Sequence, residues 1–361
     1  MRRIDYLFFG SIALLVILGL LIIASLSANE NPHFYNFYRQ LLLVGISVLV
    51  LLIFSFIDYR LFKNSPYLII GIYLFLLLAL VLLLFFGKAY GGTKGWFSLG
   101  VFNFQPIEFI KIALILVLAK YFSMRNIEIW QSRHLLVSGT FMILPAILTV
   151  LQPDLASAMI LVAIWLGIIW LSGIKLRQIV ALVLIFVLLV LISWNFLLKD
   201  YQIDRLTSFL NPQSDIRGSG YNLRQSLIAI GSGGLFGKGL GWGTQTQLRF
   251  LPAPKTDFIF ASVAEEFGLF GVLLLISCFG VLFWRLYVLA LRSTNNFARL
   301  FVAGFLIKLI AECSINIAMN LGLLPVAGLP LPLLSFGGSH MISDFIALGI
   351  IFNIQRNTSL G

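Results

Sequence analysis

The chain has 361 residues, 60% hydrophobic and 11% charged, with 33 Phe, a net charge of +11 and a mean hydropathy of +1.01. A soluble domain carries roughly 25% charged residues, so this composition excludes a water-soluble globule, a disordered chain and a repeat solenoid. Apolar runs of the ~20 residues needed to cross hydrocarbon as helix recur, and the ~10-residue alternation of an outer-membrane barrel is absent. The expected fold is an all-α polytopic membrane protein, one integral domain over 1–361.

Ten spans are expected, at 7–28, 40–57, 67–86, 106–122, 135–152, 155–171, 178–198, 257–283, 299–322 and 334–353. An even number places both termini on one side, and Lys and Arg decide which. With the termini inside, the cytoplasmic segments hold Arg2, Arg3, Arg60, Lys63, Lys120, Arg125, Arg133, Lys175, Arg177, Arg285, Arg292, Arg299 and Arg356. The short outer loops hold Arg39, Lys88 and Lys94. This 13-to-3 bias obeys the positive-inside rule, and it also accounts for the net charge without a nucleic-acid partner. Arg2 and Arg3 precede an apolar run too long for a cleavable signal. Cys278 and Cys313 fall in apolar runs and read as buried small residues.

The unusual material then lies outside, in three segments: a loop at 87–105, a long loop at 199–256, and a Leu-Pro-rich loop at 323–333. A loop as long as 199–256 is usually functional. Its glycine run, Gly231 to Gly243, lacks the strand-then-helix context of a phosphate loop and reads as tight turns or a re-entrant segment. Trp96 and Trp242 read as interfacial anchors or as platforms for a sugar or lipid. The cytoplasmic loops leave no room for a nucleotide-binding domain.

Of the 14 acids, Glu108, Asp154, Asp257, Glu265, Glu266, Glu312 and Asp344 lie in or at the ends of spans. Ionisable groups are costly there and mark function by default. Glu108 and Lys111, three apart after Pro106, share a helix face. Asp257 opens the eighth span, where a helix N-terminus favours an anion. Convergence of Glu108, Lys111 and Asp257 would create a charged site at the outer interface. One of Glu265 and Glu266 is expected to pair with Lys308. Lys308–Glu312 and His340–Asp344 are i,i+4 pairs. His33, His134 and His340 are scattered, so no metal-ligand cluster is visible.

The chain resembles the SEDS family (shape, elongation, division and sporulation), the RodA and FtsW proteins of bacterial cell-wall synthesis. Five motifs carry the resemblance: Gly91-Gly92-Thr93-Lys94-Gly95-Trp96 with Gln105-Pro106-Ile107-Glu108 and Lys111; Gln152-Pro153-Asp154-Leu155; Gln225-Ser226-Leu227 with Ala229 through Gly239; Thr256-Asp257-Phe258-Ile259-Phe260-Ala261 with Glu265, Glu266 and Gly268; and Pro330-Leu331-Pro332 with Ser335-Phe336-Gly337-Gly338-Ser339. The segment Gly322 to Pro332 favours the RodA-like, elongation branch. Ile107, Lys255, Phe336 and His340 depart from the family pattern, while every charged position is kept.

The resemblance implies a peptidoglycan glycosyltransferase in the bacterial cytoplasmic membrane that polymerises lipid II outside it, for cell elongation and rod shape. It puts the catalytic carboxylate on Asp257 and its charged neighbours on Glu108 and Lys111. It implies a class B penicillin-binding protein as partner, with other elongation-complex membrane proteins, and a divalent cation, Mg²⁺ or Mn²⁺, at the pyrophosphate, with Asp257 a possible ligand. Lys94, Lys111, Arg217, Arg224 and Lys238 are candidates for the positive charge at the substrate. Trp96, Asp154, Glu265 and Glu266 are further candidates for the substrate site. The competing readings are a lipid II flippase or transporter, suggested by the intramembrane charges, and a non-catalytic scaffold for the transpeptidase. The long outer loop ending at Asp257 favours the enzyme.

Overall fold

In the computed structural model the described residues are 5–28, 33–90, 93–99, 102–124, 132–175, 177–178, 180–182, 184 and 218–358. Helices dominate: α1 (Tyr6–Ser27), α2 (Tyr35–Phe56), the short α3 (Arg60–Asn64), α4 (Pro66–Phe86), α5 (Pro106–Ser123), α6 (Ser132–Leu151) and α7 (Leu155–Leu171). They continue with α8 (Ser219–Ser232), the short α9 (Thr244–Gln247), α10 (Ile259–Arg292), α11 (Asn296–Asn320) and α12 (Gly338–Thr358). Six of them, α1, α2, α4, α6, α10 and α11, are long and apolar enough to cross a membrane. α5 falls outside that group because it carries Glu108, Lys111 and Lys120, and α7 because it has 17 residues. The expected seventh span, 178–198, lies almost wholly outside the described residues, as do 199–217 and with them Arg217.

α5 is the axis of the bundle. It packs against α4, α6, α7, α11 and α12 and is buried nearly all round, which a helix shows when neighbours replace both water and lipid. α2 runs along α12, and α10 lies between α1 and α11. The outer faces stay apolar: Phe85, Phe86, Trp284 and Leu291 are all exposed, as lipid-facing side chains must be. Cys278 and Cys313 are buried free thiols.

The structure differs from expectation in the loop at 87–105 and around the start of α10. The expected loop 87–105 contains an antiparallel sheet, β1 (Lys88–Tyr90), β2 (Thr93–Leu99) and β3 (Phe102–Phe104), in order β1-β2-β3 with Phe97 opposite Phe104. Its aromatic and β-branched residues favour strands. It is tied to α12: the Gln105 N–H donates to Ser339 Oγ at 2.9 Å, and that hydroxyl donates to Asn103 O at 2.9 Å.

α10 begins at Ile259, runs to Arg292, and is broken at Gly268 (φ 66°, ψ −160°). Its N-cap is Phe258, without a side-chain cap bond, so Asp257 sits just ahead of the helix rather than capping it. The break is filled by the glycine run, which forms turns after α8. Lys238 and Gly239 N–H donate to Glu265 O (2.9 Å) and Glu266 O (3.0 Å), while Leu269 and Phe270 N–H donate to Gly234 O (2.9 Å) and Leu235 O (3.2 Å). A Cβ on Gly237 would stand 2.2 Å from Glu266 O, and one on Gly233 1.9 Å from Ala264 O, so the close approach requires glycine.

Candidate active site

At one end of the bundle a cleft of ≈ 560 Å³ opens between the sheet, the starts of α5, α7 and α12, and the segments before α10 and α12. Asp257, Glu108, Asp154, Trp96, Arg39 and His340 all line it. Each sits in an outer loop or toward the outer end of a span in the topology read from Lys and Arg. The structure thus brings Glu108 and Asp257 to one cleft, together with Asp154 and Trp96.

Lys111 lies beneath the cleft, 1% exposed. Its Nζ donates to Glu108 Oε1 and to Glu312 Oε1, each at 2.8 Å. Glu312 Oε2 lies 2.8 Å from Lys308 Nζ, and Lys308 pairs in turn with Asp344. Five charges of alternating sign thus run from the cleft wall on α5 through α11 to α12. Each is unaffordable alone in the interior and tolerable in a chain of opposite neighbours. The i,i+4 pair Lys308–Glu312 is present as expected. Asp344 takes Lys308 on α11 rather than His340. His340 Nε2 is buried with no hydrogen-bond partner among the described residues.

Asp154 is the N-cap of α7. It accepts from the Ser157 N–H at 3.0 Å and from the Ser157 hydroxyl at 2.7 Å, so it fixes that helix end while presenting to the cleft.

Glu265 and Glu266 belong elsewhere, and neither reaches Lys308. Glu265 is fully buried and accepts from Lys238 Nζ (3.1 Å) and from the N–H groups of Gln245 (2.8 Å) and Thr246 (3.0 Å). Glu266 accepts from the Ser25 hydroxyl (2.7 Å) and from Gln247 Nε2 (3.0 Å). Next to the break at Gly268, Glu265 binds the folded-back loop and Glu266 binds both that loop and Ser25 on α1, instead of α11. Lys238 is paired into that network outside the cleft lining, and Arg224 is exposed on α8. Lys94 lies in β2.

Among the described residues, the Lys or Arg that lines the cleft is Arg39, near the N-terminal end of α2, with its guanidinium 5.9 Å from the Phe336 ring. In the sequence it reads as a loop charge beside a span. The available signal is its place at an outer helix end, the same place that marks Glu108 and Asp257.

These features define a multi-pass membrane protein whose ionised cleft opens at one end of its helices. The family profile of the FtsW/RodA/SpoVE cell cycle proteins matches residues 5–360, and the chain belongs to that family. It is 35% identical over 350 residues to the peptidoglycan glycosyltransferase MrdB of Escherichia coli (strain K12), covering 96% of this chain and 93% of that one. It is 36% identical over 353 residues to the stage V sporulation protein E of Bacillus subtilis (strain 168), covering 95% and 94%. Among solved structures, it is similar to a chain of a peptidoglycan synthase complex that coordinates polymerization and crosslinking (TM-score 0.83, 29% identity, full coverage of both chains). It is also similar to the rod shape determining protein RodA of Thermus thermophilus (TM-score 0.74, 29% identity, covering 99% and 98%).

Proposed function

We propose that this chain is a peptidoglycan glycosyltransferase that polymerises lipid II in the cleft bounded by Asp257, Glu108 and Arg39, at the outer face of the cytoplasmic membrane. One observation carries the reading: three carboxylates and a guanidinium, from elements far apart in sequence, line one cleft at the expected outer ends of their helices. In this reading both termini are cytoplasmic, 199–256 is extracytoplasmic, and 1–361 forms a single integral domain.

The roles follow from the chemistry. Glycan extension joins a sugar 4-hydroxyl to the anomeric carbon of a lipid-linked sugar and breaks that carbon's bond to pyrophosphate. Asp257 accepts the hydroxyl proton as the new bond forms. Pyrophosphate is a good leaving group, so a second carboxyl acting as acid is not required. Its charge needs a positive partner, and Arg39 is the cleft-lining residue that supplies one. Glu108, held by Lys111, keeps that wall of the cleft anionic and fixed. Trp96 offers an aromatic face to the sugar.

A divalent cation suits this donor set. Among the described residues no three His, Cys, Asp or Glu cluster as a ligand group, but Mg²⁺ is commonly held by one or two carboxylates together with substrate phosphates. Asp257 would hold it, and the ion would neutralise charge on the departing pyrophosphate.

The partner in this reading is a class B penicillin-binding protein, a transpeptidase acting with other elongation-complex membrane proteins. It binds through its own membrane span against α10 and α11. The decisive assay is purified protein with labelled lipid II and Mg²⁺ or Mn²⁺, with the transpeptidase present, absent, or lacking its span. Polymer is expected, and more of it with the intact partner. Movement of lipid II across vesicles without polymer would replace this reading with that of a transporter.

A further inference from the structure

Three successive carbonyls before α10 are each held from another part of the fold. The Phe336 N–H donates to Lys255 O at 2.8 Å. The Ser335 hydroxyl donates to Thr256 O at 2.7 Å. The carbonyl of Asp257 itself accepts from two side-chain amides on α11, Asn316 Nδ2 and Asn320 Nδ2, each at 3.0 Å.

Both asparagines are fully buried. An amide in an apolar interior is a cost unless its hydrogen bonds are made, and packing alone would favour an aliphatic side chain there. What the Asn316 amide reaches is specific. Besides Asp257 O it donates to Leu329 O at 2.7 Å, and Leu329 belongs to the segment that lines the cleft beside Asp257. One NH₂ group therefore spans two cleft-lining segments and spends both hydrogens on them. Asn320 steadies the arrangement: it donates to Asn316 O at 2.8 Å, and its Oδ1 accepts from the Ala261 N–H at 3.2 Å in the first turn of α10. The N-cap residue Phe258 makes no side-chain cap bond, so Asn320 Oδ1 supplies the acceptor that a cap would offer to the first turn.

We propose that Asn316 is a positioning residue for glycosyl transfer: its amide sets the separation of the Asp257 backbone from the wall at Leu329, and so the reach of the Asp257 carboxylate to the acceptor hydroxyl. This rests on the reading of Asp257 as the base. A misplacement of about 1 Å can cost ~10²-fold in rate, and a base displaced along the reaction direction lowers kcat more than it alters substrate binding.

The test is lipid II polymerisation by the purified full-length protein, with kcat expressed per folded molecule from monodisperse size exclusion and the thermal midpoint taken in parallel. Asn316→Leu should lower kcat by roughly 10- to 100-fold with KM little changed. Asn316→Gln, which keeps the donor, should recover a large part of the loss. Should Asn316→Leu not fold, Asn316→Ser, whose short arm cannot span both carbonyls, carries the same expectation. A merely structural role predicts a lower thermal midpoint with kcat per folded molecule at the parent value, and that result overturns the proposal. Asp257→Asn is assayed alongside. If it is inactive while Asn316→Leu and Asn316→Ser turn over normally, the positioning role alone fails. If it is active, the base assignment fails and the inference with it.

Discussion

Lys111 on α5 and Glu312 on α11 meet at 2.8 Å in the interior of the bundle. Through this contact the cleft-lining Glu108 is joined to Lys308, one turn along α11, and through it to Asp344 on α12, so the wall of the cleft and the packing of three helices depend on one chain of charges.

Removing the centre of that chain should be severe. Lys111→Met leaves Glu108 without its cation, while Glu312 keeps Lys308. Breaking a buried pair by deleting one partner costs about 3–5 kcal/mol, so a marked fall in thermal midpoint in detergent is expected. Adding Glu108→Gln should restore part of it, because the second change removes the orphaned charge. Equal midpoints for parent, single and double variants would show that the pair is not coupled.

Gly268 offers a test of how the outer loop is fastened. Its φ of 66° suits glycine, and an added Cβ would stand 2.3 Å from Gly237 N. Gly268→Ala should cost about 1–3 kcal/mol in backbone strain and loosen the hydrogen bonds between Gly234–Gly239 and the break in α10. Limited proteolysis should then cut within 234–250 faster than in the parent. An unchanged cleavage pattern would mean that the loop is held by other contacts.

Topology can be read directly. Arg224 is exposed on α8, and both native cysteines are buried, so Arg224→Cys gives a single reporter with low background. It should react with a membrane-impermeant maleimide in intact spheroplasts. Reaction only after permeabilisation would put the segment on the cytoplasmic side and remove the case for an external cleft.

Long apolar runs made the helices legible, and the i,i+3 spacing after Pro106 made the Glu108–Lys111 pair legible, because both are local properties of the chain. The sheet at 88–104 was harder to read, since strands of three to seven residues rich in Trp and Phe look like an interfacial aromatic belt. The Lys308–Asp344 pair joins residues 36 apart, and i,i+4 spacing pointed to nearer partners for both. A pairing of Glu265 or Glu266 with Lys308 does not form, because the partners of Glu265, Lys238 and the Gln245 and Thr246 N–H groups, reach it only once the loop folds back into the break at Gly268. Arg39 looked like one more topology charge, and only the packing of α2 along α12 carries it to the cleft.

The central claim is that Asp257 is the base for glycan polymerisation, and Asp257→Asn tests it most directly. The amide keeps the shape and leaves the Asn316 and Asn320 bonds to the backbone carbonyl in place, but it can neither take a proton nor hold a cation as an anion. Because Phe258, and not Asp257, is the N-cap of α10, the variant should fold and melt close to the parent. A general base contributes about 10²–10⁴-fold in rate, so lipid II polymerisation at matched protein concentration should fall by that amount, to background in an ordinary gel assay. Near-parental polymer from the purified variant would contradict the account.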